Sequence, residues 1–193
     1  LLVSEPQDLE NIFAHGRRLL AVHAEDQTIT TDNRALLKEV SHISVHAKIH
    51  DEAAALKASE LAVHLSLKYQ RRLHILHMST AEETQLLRRL PKDHKISAEV
   101  CPQHFILNAP DCYERLGAFA QMNPPLRTAR HGKALWQALK DGIIYCLATD
   151  HAPHTREEKA LPYGKAPTGM PGVETSLPLL LNRVNQGECT LAD

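Results

Sequence analysis

Three residues suited to metal or proton chemistry stand directly after short apolar runs. His23 follows Leu19-Leu20-Ala21-Val22, His77 follows Leu73-His74-Ile75-Leu76, and Asp150 closely follows Ile143-Ile144-Tyr145-Cys146-Leu147-Ala148. Imidazole and carboxylate are suitable ligands for Zn²⁺ and similar divalent ions. If the runs are neighbouring strands of one parallel sheet or barrel, their ends share a rim, and groups far apart in sequence converge there. Each residue also has an ordinary reading, since a single His at a strand end is more often a hydrogen-bonded structural residue than a ligand. Asp150 is the most pointed of the three. A carboxylate ending an apolar strand must be paired, hydrogen-bonded or metal-bound to justify its burial. It is followed by His151-Ala152-Pro153-His154.

The elements that must position these groups alternate in type. Ser4 can cap a helix beginning at Glu5-Pro6, with Leu9, Ile12 and Phe13 on its apolar face. The run ending at His23 comes next, then a polar stretch to about His50. Asp51 can cap a long helix, roughly Glu52 to Tyr69, rich in Ala and Leu. The run ending at His77 follows, then a helix from about Ala81 to Leu90 and a third strand over Lys95 to Val100. A loop-rich region holds Met122-Asn123-Pro124-Pro125-Leu126-Arg127, and a helix containing Leu135, Trp136 and Leu139 precedes the last strand. A Pro/Gly-rich loop and a helix from Glu174 to about Val184 close the chain. Four strand–helix units in alternation predict a parallel sheet or an α/β barrel. No internal repeat or linker divides residues 1–193, which read as one domain or a piece of one.

Composition narrows the function classes. A net charge of −1 implies neither a basic face for nucleic acid nor an acidic tail. No apolar run is long enough to cross a bilayer. Cys101, Cys112, Cys146 and Cys189 form no CxxC pair, which argues against a zinc ribbon, a thioredoxin-like site or a disulfide scaffold and makes a reducing cytoplasm the default. The 13 histidines are a weak pointer to metal or proton chemistry. The first residues carry neither a basic leader nor a cleavage site, and no Met begins the chain, which reads as cut from something longer.

At this point the motifs become recognisable. Thr149-Asp150-His151-Ala152-Pro153-His154 resembles the signature of dihydroorotases in the amidohydrolase superfamily. In order and approximate spacing, three further segments agree: His23-Ala24-Glu25-Asp26, His74 to Thr80, and Met122 to Arg127. The loop Ala166 to Thr175 also looks like the family, so the resemblance covers nearly the whole chain.

The resemblance implies a metal-bearing (β/α)8 TIM-type barrel, of which residues 1–193 would be the C-terminal part with about the last four strand–helix units. It implies two divalent ions per active site, most often Zn²⁺. His23 and His77 would ligate one, and Asp150 would ligate the other and shuttle the proton. The family's HxH pair, substrate-binding Arg and bridging carboxylated Lys or Asp are not found here and are expected outside this chain. The fragment alone is therefore expected to be inactive. His74 reads as a packing residue or a support behind the ligands, and Glu99, His104 and Arg127 read as structural or supporting.

The implied reaction is reversible hydrolysis of the ring amide of dihydroorotate to N-carbamoyl-aspartate, a step of pyrimidine synthesis. A metal lowers the pKa of its water from 15.7 to about 7. Asn123, His154, Thr168 and Gly169 would select the substrate: an Asn amide both donates and accepts, His154 could donate to the carboxylate, and Gly169 permits close approach. Without the resemblance, Asn123 before Pro-Pro could merely start a turn, and Thr168-Gly169 could be an ordinary loop. Allantoinases and hydantoinases share the metal cage, but relatives of those types tend not to carry His at the position of His154 or Asn at that of Asn123. Some dihydroorotase-like chains are instead non-catalytic scaffolds. For assembly, a homodimer and an association with aspartate transcarbamoylase both stay open.

Overall fold

The computed structural model describes residue 3, residues 5–40 and residues 42–192. In chain order, α1 (Pro6–Ala14) leads to β1 (Leu20–Val22). Then α2 (Gln27–Leu36), a 3-10 turn (Ile43–Val45), α3 (His46–Ile49) and α4 (Glu52–Tyr69) lead to β2 (Leu73–Ile75). The short α5 (Ala81–Arg88) precedes β3 (Ile96–Val100). It is followed by α6 (Gln103–Ile106), α7 (Asp111–Leu116), a second 3-10 turn (Gly117–Ala120), α8 (Ala129–Lys140) and β4 (Cys146–Leu147). The last helices are α9 (Arg156–Lys159) and α10 (Val173–Asn185). Among the described residues the four strands form one sheet in the order β1-β2-β3-β4, and every neighbouring pair is parallel. No helix among them is long and apolar enough to cross a membrane.

One face of the sheet carries the core. Leu73 and Ile75 of β2 and Ile96, Ala98 and Val100 of β3 are buried against Ala62, Val63 and Leu65 of α4, Phe105 of α6, and Leu135 and Ala138 of α8. Full burial of each large aliphatic side chain contributes about 1.5–3 kcal/mol. His74, Ser97 and Glu99 alternate with these residues and are only half-buried on the other face. A second, smaller core of Ile43, Cys112, Tyr113, Met122 and Leu126 sits under the long loops and anchors the segment containing Asn123.

The strand ends lead into helix caps at short range. Asp26, three residues after His23, accepts from the Ile29 amide at 3.0 Å and caps α2. Thr80, three residues after His77, forms a capping box with Glu83 at the start of α5. Asp51 caps α4 through the Ala54 amide at 2.8 Å, as expected, and such a cap is worth about 0.5–2 kcal/mol. The expected Ser4 cap lies outside the described residues.

Two expectations differ from the structure. The polar stretch after Asp26 contains α2 and α3: its many Thr, Asp and Asn residues hide the helical period, and the Asp26 cap starts the helix. The last strand is two residues long, because the Ile143 and Ile144 amides bond the Ala138 carbonyl at 2.9 and 3.1 Å and prolong the turn out of α8. Tyr145 then joins the sheet through the Ala98 carbonyl at 2.9 Å.

Candidate active site

The ends of β1 and β2 bring two imidazoles together. His23 Nδ1 lies 2.9 Å from His77 Nε2, with the rings edge-on at 73° and centroids 4.7 Å apart. Tetrahedral zinc ligands at 2.0–2.1 Å hold their donor atoms about 3.3 Å apart, so the pair needs to open by only a few tenths of an ångström to share an ion. His77 is 6% exposed, and its Nδ1 has no hydrogen-bond partner among the described residues. Burial lowers its pKa to about 3, with added repulsion from His23 and His104, so it is neutral and its lone pair is available.

Behind His23 stands a carboxylate whose role was not singled out from sequence. Glu25 is 7% exposed, accepts from His50 Nδ1 at 2.7 Å, and lies 4.0 Å from His23 Nε2. Burial pushes this carboxyl up, but the His23 and His50 rings beside it pull it down further, to about 2. A carboxylate behind an imidazole fixes the ring and raises its basicity as a ligand. The signal was its position two residues after His23, the spacing that returns a side chain to the same side of an extended chain.

Asp150 comes just after the end of β4. Like His77 (φ 35°) it has left-handed backbone, with φ 42°, and non-glycine residues held there carry about 1–3 kcal/mol of strain, which clusters at functional sites. Burial raises the Asp150 carboxyl above its usual range, His23 opposes this, and Glu99 adds to it. Asp150 therefore shares the electrostatic neighbourhood of His23.

The other candidates gather around the loop after β4. Gly169 has φ 146°, and a Cβ there would sit 2.7 Å from the Ala152 carbonyl oxygen and 3.2 Å from His154 Nε2. Gly169 and His154 are thus packed together, and only glycine fits. Thr168 Oγ1 accepts from Gln121 Nε2 at 2.9 Å, and the Gly169 amide donates to the Gln121 carbonyl at 2.9 Å. Asn123 and Thr168 line one cavity of about 320 Å³ with His46, His50 and Tyr163. The Asn123 Oδ1 is buried without a hydrogen-bond partner among the described residues. A separate cavity of about 530 Å³ opens on His23 and Glu25 between α1, α2 and α4. Asp150 and His154 line neither of these two cavities.

Supporting residues close the picture. Lys159 is 4% exposed and donates to the carbonyls of Gln121, Pro167 and Gly169 at 3.1, 3.0 and 2.9 Å, pinning the loop. Its sequence context, Arg156-Glu157-Glu158, resembles a solvated helix and gave no sign of this. His151 Nδ1 accepts from the Gly172 amide at 3.1 Å. Arg127 donates to the His50 carbonyl at 2.6 Å, and His104 Nε2 donates to the Pro124 carbonyl at 2.9 Å. His74 does not join the pair, since its ring engages Ser97 Oγ at 2.8 Å and Glu99 Oε2 at 3.0 Å.

Comparison with known proteins speaks to the family and the fold. The chain is 41% identical over 175 residues to a dihydroorotase of Methanosarcina acetivorans, a match that covers 87% of this chain and 37% of the relative. This chain belongs to the dihydroorotase family. It spans well under half the length of that dihydroorotase. The multifunctional protein CAD of Squalus acanthias is 40% identical over 200 residues, covering 98% of this chain and 8% of the relative. In fold, the chain is similar to the L-hydantoinase of Arthrobacter aurescens, with a TM-score of 0.90 at 28% identity over 96% of this chain and 43% of that one. No protein-family model matches. The four-stranded parallel sheet is part of the TIM-type barrel of amidohydrolases, whose members imply a divalent metal, and the facing nitrogens of His23 and His77 fit one.

Proposed function

We propose that this chain is the C-terminal part of the catalytic barrel of a dihydroorotase, and that the whole protein interconverts dihydroorotate and N-carbamoyl-aspartate in pyrimidine synthesis. The observation that carries the reading is the approach of His23 Nδ1 to His77 Nε2 at the ends of adjacent strands. His23 and His77 would hold one divalent ion, and Asp150 would face a second, with zinc suiting the donors. The bound metal supplies an acidified water and an electrophile for the amide carbonyl.

The chain's own residues do the rest. Glu25 orients His23 by its charge and is itself oriented by His50. Asp150, made more basic by burial, takes up a proton at its carboxylate and returns it to the leaving ring nitrogen. Asn123 reads the ring amide, His154 donates to the substrate carboxylate, and the Thr168–Gly169 backbone closes over the ring. The protein would act in the cytoplasm, as a homodimer or joined with aspartate transcarbamoylase. The similarity to CAD supports a place beside other enzymes.

The likeness to a hydantoinase structure favours a second reading, a cyclic-amide hydrolase for an uncharged ring. Turnover of dihydroorotate by the full-length protein carrying this segment, with metal counted on the same sample, separates the readings. Turnover lost in Asp150→Ala supports the dihydroorotase. Metal with turnover of hydantoin or allantoin alone moves the assignment to the second reading. Absence of both metal and turnover leaves a non-catalytic scaffold.

A further inference from the structure

We propose that His74, Glu99 and Cys146 form a separate metal site, on the half-buried face of the sheet, that takes a zinc-class ion. Strand register builds it. Glu99 is the direct partner of Cys146 across β3 and β4, and His74 is the partner of Ser97, two residues before Glu99 on the same face. Three adjacent strands therefore present an imidazole, a carboxylate and a thiol side by side. One donor atom from each lies within 4.8 Å of the others. Zinc bonds of about 2.0–2.3 Å hold donors roughly 3.3–3.8 Å apart, so side-chain rotation closes the gap without moving the backbone.

The hydrogen bonds around His74 hold its ring in place for this site. Ser97 Oγ lies 2.8 Å from His74 Nδ1 and Glu99 Oε2 lies 3.0 Å from Nε2, so one ring nitrogen already faces the carboxylate that is paired in register with Cys146. The donor set selects a borderline-soft ion over Mg²⁺ or Ca²⁺. On binding, the metal–sulfur bond forms as the Cys146 thiol releases its proton to solvent. A dication, one thiolate, one carboxylate and a neutral imidazole then sum to zero charge, and water takes the fourth position.

This site is distinct from the His23–His77 pair but touches it. Glu99 Oε1 accepts from the His77 amide at 3.3 Å, so one carboxylate serves both the lower ion and the left-handed turn at His77.

Cobalt(II) titration of the chain tests the proposal. A thiolate-to-cobalt charge-transfer band should grow to one equivalent, vanish in Cys146→Ser, weaken in affinity about 10–100-fold in His74→Ala, and survive in His77→Ala. Alkylation of Cys146 by iodoacetamide, read by mass spectrometry on the unmodified chain, should slow at least about tenfold with zinc, a protection that needs no variant. No thiolate band at saturating cobalt, or a band that persists in Cys146→Ser, would overturn the site, as would alkylation indifferent to zinc.

Discussion

His23 Nδ1 faces His77 Nε2 at 2.9 Å although the two residues are 54 positions apart in sequence. Parallel pairing of Leu20 with Leu73 and Val22 with Ile75 places their strand ends level, and the rings meet just beyond. The two facing nitrogens lie within hydrogen-bond distance, and for both to hold one metal ion the ring protons must sit on the outer nitrogens. His77→Ala or His23→Ala should therefore weaken metal binding at this pair by more than the roughly 10–100-fold that loss of a supporting group costs. Competition against a chelating dye, with Cys146→Ser as background, measures it. Undiminished affinity in both variants would remove the pair from metal binding.

Glu25 gives a finer prediction. Its carboxylate touches no ion in the proposed site, yet it holds His50 at 2.7 Å and lies 4.0 Å from His23. Glu25→Gln keeps the shape and removes the charge. Metal affinity should fall about 10–100-fold while the far-ultraviolet circular dichroism is unchanged. Full-strength binding by Glu25→Gln would mean that the carboxylate serves His50 and the fold alone.

Buried histidines, His46 and His104 alongside His77, set an acid limit on stability. Burial lowers both His46 and His104 from 6.5 to about 4. Their folded values lie below their unfolded values, so the unfolded chain takes up protons that the folded one refuses. Stability is full above about pH 6.5, falls as the pH drops toward 4, and loses nothing further from these rings below that. At about 1.4 kcal/mol per pH unit, each ring accounts for roughly 3 kcal/mol across the window. Urea unfolding at a series of pH values with chelator present should show this slope, and, because His77 is lowered as well, to about 3, His104→Gln should remove about a third of the total. An unchanged slope in His104→Gln would show that His104 is not the group responsible.

Much of this was legible in the sequence because the signals are local. Asp51 and the Ala-rich run mark α4 end to end, and the apolar runs mark β1, β2 and β3 to within a residue or two. The strand-end positions of His23, His77 and Asp150 follow from those runs. What stayed hidden depends on tertiary contact. The α2 helix carries its buried face on few residues, and the β4 ladder is shortened by hydrogen bonds to Ala138. Glu25 and Lys159 gain their roles only when residues 25 and 38 positions away, His50 and Gln121, fold against them.

Lys159 is the clearest such case, and it yields the last prediction. Its ammonium donates to three carbonyls of two segments, at Gln121 on one side and at Pro167 and Gly169 on the other. Burial lowers its pKa, but the three acceptors compensate the desolvated charge. Lys159→Met fills similar volume and leaves the Pro167 and Gly169 carbonyls without this donor, while the Gln121 carbonyl keeps only the Gly169 amide, a cost on the order of 3 kcal/mol. Because the Gly169 amide bonds the Gln121 carbonyl next to the lysine, the loss should be felt first in this loop. Hydrogen exchange should accelerate at Gly169 and Ala152 well before the core strands respond. If Thr168 and Gly169 close over substrate as proposed, the same change in the full-length protein should raise KM for dihydroorotate more than it lowers kcat, because Asp150 lies on another segment. Uniform acceleration across core and loop would instead make Lys159 a residue of global stability with no special claim on the substrate loop.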